Sequence, residues 1–258
     1  MKKFELTTDR IEENGTALYR IKSLIDFVDV KAGDLGGYVE KEENLSQSGD
    51  AWVSDNACVF GNACVYGDAW VSGSAKVYGN AHVSGNARVC DNAWVYDNAL
   101  VYDNALVSGD ARVFGDACVC GNACVSGDAC VSGNARVSGN ARVFGNAWVC
   151  DNAWVSDNAC AFGNACVYGD AWVSGNACVY GDACVSGDAD YICLKGFGSH
   201  NRSTTMFRAK SGNICVSCGC FSGTLEEFES KVKETHGNNK FAREYLALVE
   251  VAKIHFEV

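Results

Sequence analysis

The residues able to do chemistry here are sixteen cysteines and four histidines in a chain of 258. Cys215-x-x-Cys218-Gly-Cys220, with Cys193 upstream, offers four sulfurs, the number tetrahedral zinc takes. Two features weaken that reading. A second paired CxxC knuckle is missing, and strand alternation would send Cys215 and Cys218 to opposite faces. The expected metal, cofactor and catalytic sets are therefore empty. A histidine acting as general base needs an orienting partner and a pocket. His82 occupies a position that elsewhere holds Cys, Trp or Arg, which reads as a solvent-facing filler; His200, His236 and His255 all lie near the C-terminus. Most of the other cysteines share outward slots with Trp, Arg, Ser and Tyr. Cys160 and Cys178, and Cys166 and Cys184, are eighteen apart, close enough on stacked strands for oxidation to join them.

What positions all of these is one six-residue phrase, Ala-x-Val-x-Gly-Asn, as in Ala63-Cys-Val-Tyr-Gly-Asp68 or Ala87-Arg-Val-Cys-Asp-Asn92. Every sixth residue from Ala51 to Ala189 is alanine. Every sixth from Val53 to Val185 is valine except Ala161. No insertion or deletion breaks this register, so the repeat governs the fold. Alanine and valine two apart face the same side of a strand. The following Gly or Asp, then Asn, Asp or Ser, are residues that accept a positive φ and a tight corner. Each hexad is a short strand and a corner. The period is too short for helix pairs, and the alternation excludes a helical stripe; a parallel β-helix is left.

The phrase resembles the hexapeptide repeat of left-handed parallel β-helix proteins. The resemblance implies three hexads per triangular coil, about eight coils over the repeat, and a left-handed winding that runs against the usual crossover rule. At about 4.8 Å per coil the shaft would be roughly 35–40 Å long. The whole arrangement also resembles uncharacterised phage and prophage proteins, and proteins called polymer-forming or hexapeptide-transferase-like. Many members of the hexapeptide family are trimeric acyltransferases with a histidine near a subunit interface, and others resemble γ-type carbonic anhydrases, whose zinc takes three histidines. This chain departs from both patterns: one histidine lies in the repeat and no loop is expelled from it. The expected role is a structural or protein-interaction rod, with a hexapeptide acyltransferase as the alternative.

The flanks divide the chain into 1–50, an N-terminal cap and irregular first coil; 51–190, the β-helix; and 191–258, a small α+β module. Phe4-Glu-Leu and Leu18-Tyr-Arg-Ile-Lys read as strands around Asn14-Gly15. Val39 and Leu45 are one hexad apart, but Leu45 to Val53 carries two extra residues. The C-terminal pattern predicts three strands, around Tyr191, Thr204 and Asn213, with turns at Gly196–Asn201 and Ser211-Gly212. Thr224-Leu-Glu-Glu227 is a capping box opening a helix that stops at Gly237. A second helix near Lys240–Ile254 carries Phe241, Tyr245, Leu248 and Val251 or Ala252 on one face.

Folding the repeat at eighteen residues gathers aromatic rings on one face: Phe60, Tyr78, Tyr96 and Phe114 in one column, Trp94 and Trp148 beside it, and Tyr168 further along. Stacked rings would stabilise the shaft. So large an apolar stripe also calls for cover, most simply by a second or third copy in a homodimer or homotrimer, or by another protein. The formal charge of −11 opposes nucleic acid as a partner, and Arg88, Arg112, Arg136 and Arg142 are scattered among aspartates. A regular threonine array suited to ice is missing. No apolar run suits a membrane helix, and the N-terminal residues lack a secretory h-region, so a cytoplasmic address in a bacterial host is expected.

Overall fold

A computed structural model describes residues 2–198 and 200–258. The alternation of the hexad becomes a parallel β-solenoid of about eight turns. Each hexad gives a two-residue strand, such as Arg88–Val89, that pairs in register with the strands eighteen residues before and after it: Arg88 with Trp70 and with Leu106. Three sheets result. The valines and alanines turn inward and are at most 2% exposed from Val53 to Val185, with Ala161 filling the one non-valine position. They form one continuous core that begins at Phe4 and ends on Phe207. The last alanine of the phrase, Ala189, is instead exposed, in a 3-10 turn over Asp188–Asp190.

Between turns, two or three N–H groups of each hexad donate toward the C-terminal side. Cys64 N donates to Ala81 O at 3.0 Å, Tyr66 N to Val83 O at 3.0 Å and Asp68 N to Gly85 O at 2.8 Å. The first turn consequently presents carbonyls that need donors, and the last presents N–H groups that need acceptors.

The N-terminal segment supplies the donors. Strands β1 (Phe4–Glu13) and β2 (Thr16–Ser23) form a hairpin around Asn14-Gly15, both at positive φ, and β3 (Leu35–Val39) continues the sheet onto the shaft. Tyr38 pairs with Cys58 and Leu45 with Val65, an offset of twenty rather than eighteen. The two extra residues fall within the stretch from Ser46 to Asp50, whose Gln47 side chain accepts from Lys3 N at 2.8 Å. The Lys3 side chain is buried and its Nζ donates to Gly49 O at 3.1 Å and Ala51 O at 2.8 Å. Burial outweighs the nearby Asp50 and Asp68 and lowers its pKa to about 8. The Asn44 amide, also buried, donates to Gly61 O and Ala63 O.

The C-terminal segment supplies the acceptors. Thr205 Oγ1 accepts from Cys178 N at 3.0 Å, Asp188 Oδ1 from Trp172 N at 3.0 Å, and Asp190 Oδ2 from Ser186 N at 2.9 Å. Asp188 and Asp190 lie just before, and Thr205 within, a four-stranded antiparallel sheet: Tyr191–Phe197, Arg202–Arg208, Ile214–Cys218 and Phe221–Thr224. The fourth strand escapes the sequence pattern because Phe-Ser-Gly-Thr has no apolar alternation; its pairing with Ile214–Cys218 holds it. The expected Gly196–Asn201 turn includes Ser199, which lies outside the described residues. One face of the sheet closes the shaft with Phe207; the other packs Met206, Ile214, Val216 and Cys218 under two helices.

Helix α1 (Leu225–His236) opens on the expected capping box: Glu227 N donates to Thr224 Oγ1, and the Glu227 carboxylate accepts from Thr224 N. Helix α2 (Lys240–Phe256) buries Ala242, Tyr245, Leu248, Val249, Ala252 and Phe256. Tyr245, Leu248 and Ala252 face inward as expected; Phe241 is only half-buried and Val251 is exposed, while Val249 and Phe256 join the inner face. Among the described residues, no helix is long and apolar enough to cross a membrane.

The corners explain the fifth hexad position. Six aspartates there, Asp55, Asp91, Asp97, Asp103, Asp151 and Asp157, hold φ near +60°. Each is followed one turn on by a glycine whose N–H donates to its carboxylate, as Gly109 N to Asp91 Oδ2 at 3.0 Å and Gly121 N to Asp103 Oδ2 at 3.1 Å. At Gly121 (φ +70°) an added Cβ would sit 2.9 Å from the backbone N and O of Gly139. Gly121→Ala should lower stability by about 1–3 kcal/mol. Gly121→Asp should cost about 1 kcal/mol less, because its carboxylate can take the Gly139 N–H. Urea unfolding of the two variants checks the order; equal losses would contradict it.

Candidate functional site

The aromatic column assembles because each turn repeats the last. Phe60 and Tyr78 stack at 5.0 Å between centroids and 5° between planes, Tyr78 and Tyr96 at 5.0 Å and 2°, Tyr96 and Phe114 at 4.9 Å and 6°. Spacings of this size are the turn-to-turn rise itself, so the rings cover one another's faces and leave edges to solvent.

The N-terminal hairpin lies over the start of this column. Phe60 is buried in a cluster with Leu18, Tyr38 and Cys58, and Ile11 and Tyr78 pack against it. Lys76 Nζ on the shaft meets Glu13 Oε1 of β1 at 2.7 Å. The part of the face left open runs from Tyr96 and Trp94 to Trp148. Trp94 stands edge-on to Tyr78 between two cations, Lys76 Nζ at 5.3 Å and Arg112 at 5.5 Å from its ring. Such pairs hold an indole upright at about 0.5–1 kcal/mol each. Trp148 is 50% exposed and is fixed by its Nε1, which donates to Ser132 Oγ of the preceding turn at 3.2 Å. Tyr168 is further along, its hydroxyl 3.5 Å from Cys184 Sγ.

Two further aromatic columns belong to the other sheets. Phe144 and Phe162 stack at 4.9 Å, Phe162 and Tyr180 at 5.5 Å, and Trp154 and Trp172 at 5.1 Å. The same eighteen-residue spacing would have found them. Trp154 and Trp172 each donate Nε1 to a serine sixteen residues back, Ser138 and Ser156, both at 2.9 Å.

The sulfur group does not converge. Cys193 and Cys215 pack against the shaft core, Cys218 sits in the helical core, and Cys220 is exposed. His82 is exposed on the shaft with its ring edge-on to Tyr66 at 6.1 Å. His236 lies against Tyr245 at 5.8 Å, and His255 Nε2 donates to Ala189 O at 2.9 Å. In-register pairing brings Cys160 opposite Cys178 and Cys166 opposite Cys184. The Cys160 thiol keeps its proton and offers it to Cys178, which raises the pKa of the first and lowers that of the second to about 7.

A family model described as the YdcK beta-solenoid repeat matches residues 93–109, 129–143 and 135–151, all within the shaft. No curated protein matches the chain. The matched segments and the solenoid together support a repeat β-helix family.

The outward thiols should make the shaft sensitive to alkali. Burial pushes Cys58 up to about 11, and burial beside Asp151 pushes Cys150 up to about 12, from an ordinary 9.0. Cys64, Cys90, Cys130 and Cys166 move the same way for the same first cause. A folded-state pKa above the unfolded one means that the unfolded chain loses its protons first as pH rises. The stabilisation is fully present below pH 9 and is lost between there and the folded values. The lowered Lys3 pKa contributes a rise between about 8 and 10.5, but it is one group against many. The thermal midpoint should therefore fall steadily from pH 9 to 11 in reducing buffer; a rise across that window would refute the assignment.

Proposed function

We propose that the chain is a structural or protein-interaction rod, wound left-handed with three hexads to the coil, that self-associates through the aromatic face around Tyr96, Phe114, Trp94 and Trp148. The eighteen-residue pairing register supports the three-hexad coil; the hand rests on the resemblance of the phrase to hexapeptide repeats. The observation that carries the association is the open stretch of that face: Trp94 and Trp148, 36% and 50% exposed, stand on one sheet beside the stacked column. Large rings fixed upright by cations and a serine present a rigid apolar surface at small entropic cost, the kind of surface that seats a second copy. A homodimer or homotrimer sets the rods side by side. The phage or prophage origin and the cytoplasm of a bacterial host as its place of action rest on the resemblance of the overall arrangement.

Light scattering across a dilution series tests the association. The wild-type chain should dissociate to monomer only at low concentration. Trp148→Arg, which puts a charge on the most exposed ring of the face without touching the core, should weaken association by about tenfold or more. A strict monomer at the highest concentration would remove the proposal.

A further inference from the structure

Away from the shaft, a cavity of about 390 Å³ opens between the C-terminal sheet and the helices α1 and α2. Its volume falls in the range that small-molecule sites occupy. Phe221, Phe228 and Tyr245 supply apolar walls, with Phe221 and Phe228 5.2 Å apart and Phe228 edge-on to Tyr245 at 5.6 Å. Three cationic or proton-bearing groups, Arg202, Lys231 and His236, line the same space.

Arg202 is the informative one. Three arginines of the chain are neither buried nor fully exposed: Arg20, Arg202 and Arg208. Arg20 donates to Gly36 O and Tyr38 Oη and faces Asp9. Arg208 donates to Phe256 O and faces Asp190. Among the described residues the Arg202 guanidinium has no such acceptor, although a half-desolvated charge ordinarily finds one. Its position is also set by a deliberate gap. Gly219 holds φ +62°, and a Cβ there would lie 1.9 Å from Arg202 Nη1, so the guanidinium rests on the bare face of that glycine. Lys231 is already engaged by Glu234 at 2.8 Å, which leaves Arg202 as the fork with free donors. The surrounding charge agrees: residues 191–258 carry nine Lys and Arg against seven Glu and no Asp, in a chain of net −11.

We propose that this cavity binds a small organic carboxylate with a flat apolar body. The guanidinium takes the carboxylate through two parallel N–H···O bonds, a geometry that lysine cannot match. The body sits among the three rings. A neutral isostere would leave Arg202 without its anion and would keep only the apolar contact.

Fluorine NMR of the full-length protein with 4-fluorobenzoate and 4-fluorobenzamide tests this directly. The acid should bind saturably, and the amide at least about tenfold more weakly, since a hydrogen bond to a charged group carries that much discrimination. Arg202→Met keeps the aliphatic stem and should bring the two probes to within about twofold of each other. Thr235→Trp, at the exposed rim, should block the cavity and weaken the acid by a similar factor without disturbing the core. No saturable binding of the acid below about 10 mM, equal binding of acid and amide to the wild-type chain, or full affinity in both variants would overturn the proposal.

Discussion

The backbone bonds between turns run predominantly one way, and most of the rest of the molecule is an answer to that fact. Two or three N–H groups per hexad donate toward the C-terminal side. A stack built so has a first turn with bare carbonyls and a last turn with bare N–H groups. Each buried group left unpaired costs about 1–3 kcal/mol, and an open edge invites further strands. The two ends are closed largely by opposite chemistry, although Glu40 Oε2 also accepts from Gly61 N at the first, and Tyr191 Oη and Lys210 N also donate to Trp172 O and Asp182 O at the last. Donors close the first: Lys3 Nζ, the Asn44 amide and the N–H groups of Tyr38 and Glu40. Acceptors close the last: the Thr205 hydroxyl and the carboxylates of Asp188 and Asp190.

The same polarity is repeated on the outside by side chains. Asn86, Asn104, Asn122 and Asn140 each donate an amide N–H to the next turn at 3.0–3.1 Å, ending on Asn158. Asn98 donates to Asp116, and there the chain of donors stops, because a carboxylate accepts but cannot pass a proton on. The aspartates at the corners work in the other sense, reaching forward to accept from a glycine N–H. A core of valine and alanine is narrow and small in volume, so regularity supplies what bulk does not. One turn out of register would break the ladders and the ring stacks together.

Much of this was legible from the chain alone, because a strict period fixes which side chains share a face. The inward valines, the strand-and-corner unit, the two extra residues before Val53, the Asn14-Gly15 hairpin and the Thr224 capping box all follow from spacing. Contacts between segments distant in sequence could not be read that way. Nothing local to Phe60 says that β1 and β2 fold over it, and nothing near Lys3 says that its ammonium closes the shaft. The inner face of α2 widened to take in Val249 and Phe256, an event set by packing rather than by helical period. The strand Phe221–Thr224 exists only through its partner. Arg202 gave no signal in sequence, since its meaning lies in Gly219, seventeen residues away, and in a cavity made by three elements.

The shaft carries rings on one side, amides at the corners and a basic module with an apolar cavity at one end. Its organising feature is the polarity of the stack, closed at each end by side chains of the right sign. Site-resolved amide hydrogen exchange measures that directly on the wild-type chain and on Lys3→Met. Protection should be greatest in the middle turns, around Val107 to Val143, and should decline toward both ends, with the variant losing protection first in the turn from Ala51 to Ala63 while the middle turns hold. Even loss along the whole shaft in the variant, or middle turns that exchange faster than the ends, would contradict it.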